Sequence, residues 1–516
     1  MQSSKSKASK IVTIILLAAI LVGTILAFVI PPLITEKFDE ELIIYNWADY
    51  IEPAVLEEFA AYYEELTGNS LNIIYSNFDT NETMLTEIIK GDSKIDLICP
   101  SEYAIQKLLK YDRLEKLDWN YVLDEGETLY IDNIMPEIRE KIDSAFSDIA
   151  VGDTTGHMND YFVPYMWGTL GVLYNTNYLT REEVEEAGWG IFWNSINKKE
   201  LEGKILVKDS IRDTYVCAVM YLKEQDMLPA KYQALTIDEL ITCTDKELID
   251  LAEKVLSEQR EHLKGYEVDF GKDDMINEIA YVDLAWSGDA FYAIEESMDE
   301  EGNSFLDYYV PESGSNIWFD GWVIPKANDD YTPNYRAAHL FLNYLNRPDT
   351  AMYNTLTIGY ASAVKPELFT SLLDNEDYLD LVTVGSWEES YALLDEEYAE
   401  DENYYALLGL ISLLECYEVE PDADSVIAFC TEDFFGDTRR YADFEANLGM
   451  MQDFSRISEE DNERVVEMWE RVKSFGEKDN WVVLGILIGV LAVLAAGCVG
   501  FVLFWFNRTP RPKKLS

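Results

Sequence analysis

Residues 41–99 alternate between strand and helix patterns, and this alternation narrows the fold more than any other feature of the chain. Glu41, Leu42, Ile43, Ile44 and Tyr45 form a short apolar run. Pro53 then opens a helical repeat with Val55, Phe59, Tyr62, Tyr63 and Leu66 on one side, and Gly68 closes it. Residues 71–75 read as a second strand. Asn81 is placed to cap a helix carrying Met84, Leu85, Ile88 and Ile89, which Gly91 ends. Residues 95–99 give a third strand. Strands alternating with helices predict an α/β fold, with a mostly parallel sheet covered on both faces. Ligands of such sheets bind in crevices beyond the carboxyl ends of the strands.

Those strand ends are where aromatics and carboxylates meet. Trp47, Asp49 and Tyr50 follow the first strand, and Ser101, Glu102 and Tyr103 follow the third. Asp209, Ser210, Arg212 and Asp213 follow a strand-like stretch at 204–208. Trp286 and Asp289 follow another at 279–285. Trp318 and Asp320 precede a strand-like stretch at 322–325. An organic cation is bound by this pairing: the aromatic face attracts its charge and covers its methylenes, and the carboxylate accepts its ammonium hydrogens. With 97 Asp and Glu in the chain, a single such pair arises readily by chance. It is the grouping at strand ends that points to a shared crevice.

A chain of 516 residues exceeds what one core organises, so at least two lobes are expected. Its formal net charge of −57 repels nucleic-acid phosphates and favours cations, although the same acidity also serves solubility. Six cysteines form no CxxC pair, and Cys416 and Cys430 are read either as a local disulfide or as buried thiols. His157, His262 and His339 are scattered, and His339 reads as structural, so neither a metal nor any other cofactor is expected. No GxSxG, HExxH or GxxxxGK[ST] pattern occurs. The chain therefore reads as a binder and not as an enzyme.

Two apolar runs bracket the acidic body. Residues 11–30 carry no charge and are long enough, as a helix, to cross a bilayer. Residues 481–506 form the second run, with Trp481, Trp505 and Phe506 at its edges. Lys5, Lys7 and Lys10 precede the first run, and Arg508, Arg511, Lys513 and Lys514 follow the second. The positive-inside rule then places both termini in the cytoplasm and the body outside the cell membrane.

From about Leu42 to Phe369 the chain resembles the bacterial spermidine/putrescine-binding proteins, the solute receptors of polyamine ABC importers. The likeness lies in Tyr45-Asn46-Trp47-Ala48-Asp49-Tyr50, Ser76-Asn77-Phe78-Asp79-Thr80-Asn81-Glu82-Thr83-Met84 and Pro100-Ser101-Glu102-Tyr103. It continues through Val163-Pro164-Tyr165-Met166-Trp167-Gly168-Thr169, Trp286-Ser287-Gly288-Asp289, Trp318-Phe319-Asp320 and Ile358-Gly359-Tyr360. The resemblance implies a two-lobed, periplasmic-binding-protein-like (type II) fold, here flanked by the two membrane spans. It implies that Trp47, Tyr50, Trp286, Trp318 and Tyr360 line a polyamine's methylenes. Asp49, Asp213, Asp289 and Asp320 would hold its ammonium groups, and Ser101 and Tyr103 would add hydrogen bonds. Asp289 resembles the putrescine-preferring branch. Ala48 stands where a hydroxyl residue is usual, and Ser210 where some members have a carboxylate.

The implied division is a tail and anchor at 1–35, the first part of lobe 1 at 37–160, lobe 2 at 161–285 and a return to lobe 1 at 286–365. A divergent acidic, mostly helical region at 366–478, the span at 481–506 and a basic tail at 507–516 complete it. The implied partners are putrescine or spermidine, ABC permease subunits with their ATPase, and membrane lipid, with no nucleic acid. A polyamine sensor of the same fold, or a receptor for another small cation, is the alternative.

Overall fold

The computed structural model describes residues 38–474, apart from 92, 147–148, 300–301, 328–329, 445–446 and 457. The expected spans at 11–30 and 481–506 lie outside the described residues. Among the described residues no helix is long and apolar enough to cross a membrane.

The first sheet has three parallel strands in the order β2-β1-β3: β1 is Glu40–Trp47, β2 is Leu71–Phe78 and β3 is Leu97–Ile98. The helices between them are α1, Pro53–Thr67, and α2, Asn81–Lys90. Gly68 and Gly91 end them in the left-handed region, at φ 75° each, which glycine adopts without strain. The cap of α2 differs from expectation. Thr80, not Asn81, accepts the bond from the Thr83 amide, so the Asn81 side chain is free to turn toward the third strand's end. Helix α3, Glu102–Lys110, follows directly.

A small hairpin, β4 (Ile149–Val151) and β5 (Thr154–Gly156), precedes β6, Val163–Asn175. All thirteen residues of β6 are buried, because it runs through both lobes. Val163, Tyr165, Met166 and Trp167 belong to the first core, and Leu170, Val172 and Tyr174 to the second. β6 anchors the larger sheet, whose order is β13-β11-β6-β9-β7-β8. Its members are β7 (Ile205–Lys208), β8 (Leu263–Glu267), β9 (Val282–Trp286), β11 (Ser315–Trp322) and β13 (Leu448–Met450). β10 (Leu306–Tyr309) and β12 (Ala361–Ser362) also pair with β6. Helix α4 (Ile211–Glu224) follows β7, α5 (Lys246–Gln259) precedes β8, and α6 (Ser287–Glu296) follows β9.

The region after 365 does two things. Helix α7, Pro348–Ile358, packs on α8, Tyr404–Cys416, and residues 352–434 supply a third core. Gly409 permits that approach: a Cβ there would sit 3.2 Å from the Asp349 backbone. The chain then returns. Leu448 and Met450 join the first core, while Met451, Phe454 and the apolar side of α9, Glu459–Ser474, join the second. Cys416 and Cys430 are both free thiols, one exposed and one buried. His339 is buried and accepts a hydrogen bond from the Asp118 amide, a structural role.

Candidate ligand-binding site

The site is built where the two lobes meet, around Asp320. Trp318 and Asp320 lie within β11, not ahead of a strand as the sequence suggested. Both faces of β11 are buried, so its residues lack the apolar–polar alternation that marks a half-exposed strand. Being two apart, Trp318 and Asp320 project from the same face. The register shifts between Asp320 and Gly321, a bulge that bends the strand at this point.

Asp320 is 7% exposed. Its Oδ2 accepts a hydrogen bond from the Tyr50 hydroxyl at 2.9 Å, and its Oδ1 has no hydrogen-bond partner. Ser101, the cap residue of α3, bridges to residue 320 through the backbone. Burial is the main reason that the Asp320 carboxyl is pushed up to about 6. The Ser101 and Tyr50 hydroxyls pull it back, and the Asp213 carboxylate pushes it further up.

Aromatic rings surround this carboxylate. Tyr50 meets Tyr165 and Tyr360 edge-on, each with ring centroids 5.8 Å apart, and Trp318 meets Tyr360 at 5.2 Å. Two glycines make room for the rings. Trp318 lies over Gly168, where a Cβ would come within 2.7 Å of its ring. Tyr360 lies on Gly288, where a Cβ would overlap the ring outright. Trp318 is 8% exposed, and its Nε1 is buried without a partner.

The second lobe contributes Asp213, from the first turn of α4, and Trp286, from the end of β9. The Trp286 indole donates to Asp213 Oδ1 at 3.2 Å. The Ser210 hydroxyl is taken up in capping α4, accepting from the Asp213 amide. Asp209 faces away, paired with Lys473 of α9 at 2.7 Å.

Ser101 and Tyr103 are joined by one amide: Asn81 Nδ2 donates to both hydroxyls, at 3.0 Å each. The Arg212 guanidinium of the second lobe stacks 3.5 Å above the Tyr103 ring and lies 4.0 Å from Glu102. Glu102 is held in turn by the Phe319 amide, and burial pushes its carboxyl up to about 8 against the pull of Arg212.

The structure thus brings Tyr50, Ser101, Asp213, Trp286, Asp289, Trp318, Asp320 and Tyr360 into one connected neighbourhood, with Tyr103 beside it. Trp47 ends the first strand and Asp49 follows it, and Trp47 Nε1 is buried without a hydrogen-bond partner. The half-buried Trp47 ring packs on Phe78 at 4.5 Å, and Asp49 is exposed in the left-handed region at φ 51°.

The sequence did not point to Asn81, nor to the two lysines at Asp289. Lys208 Nζ lies 3.4 Å from Asp289 Oδ2, and Lys272 Nζ lies 3.5 Å from Oδ1. One signal was available: Lys208 directly follows the apolar run Ile205-Leu206-Val207.

Comparison with known proteins bears on the family and fold. The family model of bacterial extracellular solute-binding proteins matches residues 58–368. The spermidine/putrescine-binding periplasmic protein of Escherichia coli (strain K12) is 26% identical over 377 residues, covering 71% of this chain and 91% of that protein. The putrescine-binding periplasmic protein PotF of the same organism is 25% identical over 353 residues, covering 68% of this chain and 84% of that protein. Among solved structures, the spermidine/putrescine ABC transporter substrate-binding protein PotD from Streptococcus pneumoniae superimposes with a TM-score of 0.54 at 23% identity. It covers 85% of this chain and 99% of that one, a likeness of fold. The resemblance drawn from the motifs is borne out. Matching the family model over more than half of its 516 residues, and sharing the two-lobed fold, the chain belongs to the bacterial extracellular solute-binding proteins.

Proposed function

We propose that this protein is an extracytoplasmic polyamine receptor that delivers putrescine or spermidine to the permease and ATPase of an ABC importer. In this reading the runs at 11–30 and 481–506 hold its body at the outer face of the cell membrane, with both ends in the cytoplasm. The observation that carries it is the Asp320 carboxylate, buried with one oxygen unpaired and ringed by Tyr50, Trp318 and Tyr360. A buried carboxylate with a free acceptor is costly by itself and gains most from an ammonium that fills it. The rings add cation–aromatic attraction of about 0.5–2 kcal/mol each and cover the methylenes beside the charge. Relatives named for spermidine and putrescine binding point the same way.

The test is calorimetry on the purified full-length protein in detergent with putrescine, spermidine, spermine, lysine and calcium. Saturable heat with a polyamine, at micromolar or tighter affinity, is expected. Heat with calcium alone overturns the reading.

A further inference from the structure

Asp289, one of the four carboxylates expected to meet a ligand ammonium, already has cations of the protein's own. Lys208 Nζ lies 3.4 Å from its Oδ2 and Lys272 Nζ 3.5 Å from its Oδ1. Lys208 is 1% exposed, so its ammonium is a fixed part of the interior. The same ammonium pairs with Glu267 at 2.6 Å, reaches the Val268 carbonyl at 3.5 Å, and lies 4.3 Å from the centre of the Trp286 ring. These resemble the contacts a bound alkylammonium makes: two hydrogen-bond acceptors, Asp289 and the Val268 carbonyl, a close carboxylate counter-charge in Glu267, and a tryptophan face over the charge. Burial alone lowers the Lys208 pKa, but the Glu267, Asp289 and Asp283 carboxylates outweigh it and keep the ammonium charged.

The other acids near the cleft divide accordingly. Glu102 has Arg212, and Asp209 has Lys473. Asp213 accepts from the Trp286 indole, and Asp320 keeps an unpaired oxygen.

We propose that Lys208 is a built-in cation occupying an ammonium position of the cleft, so that a ligand's charge is received by Asp213 and Asp320 and not by Asp289. The inference rests on the polyamine reading only for the identity of the ligand. Its consequence is selectivity. A second ammonium directed at the Trp286–Asp289 end meets a fixed like charge and is disfavoured there. The site takes one ammonium between Asp213 and Asp320, and any further ammonium of the ligand lies away from the Trp286–Asp289 end, so Asp289 adds little to the preference for a diamine over a monoamine of equal length.

The experiment compares putrescine with n-butylamine on the full-length wild type and on Asp289→Asn, Asp320→Asn and Lys208→Met, with Lys208→Gln as a second form and the fold of each checked by circular dichroism. Asp289→Asn is expected to change either Kd by less than about threefold, and Asp320→Asn to weaken both by more than about tenfold. Lys208→Met is expected to raise the putrescine-to-butylamine preference by about tenfold or more, because it vacates an acceptor position. If Asp289→Asn weakens putrescine as strongly as Asp320→Asn does, the inference is overturned while the polyamine reading stands; Asp289→Asn decides this even where the Lys208 variants fail to fold. If the wild type binds neither amine and a Lys208 variant gains putrescine binding, the inference stands and the native polyamine reading falls. If no variant binds either amine, both fall.

Discussion

Asp320→Asn should make the empty protein more stable at neutral pH. The Asp320 carboxyl is pushed from an ordinary 3.8 up to about 6, with burial the largest cause. In the unfolded chain it ionises at its ordinary value, so between those limits the native state holds a proton that the unfolded state has lost. Its contribution to stability is therefore full below pH of about 4 and is lost as pH rises through about 6. Above that, the folded protein carries the whole cost of a charged, half-paired carboxylate. A shift of about two pKa units is worth about 3 kcal/mol. Asparagine removes the charge and keeps an acceptor for the Tyr50 hydroxyl, at the cost of an amide donor without an established acceptor. Allowing for imperfect amide geometry, a gain of about 1–3 kcal/mol is expected at pH 7.5. Urea unfolding of wild type and variant, without ligand, at pH 7.5 and pH 4.5 measures it. The gain should shrink toward zero at the lower pH, where the wild-type carboxyl is protonated. A variant less stable than wild type at pH 7.5, or a gap unchanged by pH, would falsify the assignment of Asp320 as a strained acceptor.

Trp318→Ala should weaken binding of a polyamine by about 1–4 kcal/mol, read as the change in calorimetric Kd, because it removes the ring beside Asp320. Gly288→Ala should displace the Tyr360 ring, lowering stability in urea by about 1–3 kcal/mol and weakening binding as well; unaltered values for both would show that the close approach is not required. Protease applied outside intact cells should digest the body and spare epitopes placed at either terminus, and cleavage of one terminal epitope would refute the two-span topology.

The first sheet was legible because its signals are local. Five segments in a row, 41–99, carry their own periodicity and stop signals, and β1, α1, β2, α2 and β3 all form there. The cap of α2 was misplaced by one residue because Thr80 and Asn81 are both good capping types, and only packing against Ser101 and Tyr103 decides which side chain turns inward. β11 was misread for a different reason. A strand buried on both faces, with Ser315, Asn316 and Asp320 among its inward residues, presents no alternation. The cation cluster left the faintest trace. Lys208 gathers Glu267, Asp283 and Asp289 from segments 59 to 81 residues away, and nothing in the neighbourhood of residue 208 announces them.

That long-range gathering also explains why the net charge of −57 is a poor guide to the site. The cleft is not acidic in proportion to the chain. Arg212 answers Glu102, Lys473 answers Asp209, and Lys208 with Lys272 answers Asp289. A buried acid answered by the protein's own cation is structural, since no ligand improves its position. Affinity comes instead from a carboxylate left short of partners, because that is where binding recovers energy that folding gave up. Asp320 meets this condition, and Asp213, an electrostatic neighbour held by an indole hydrogen bond, stands beside it. In the proposed reading the ligand's charge is received by these two groups, and the rest of the acidity serves the protein surface.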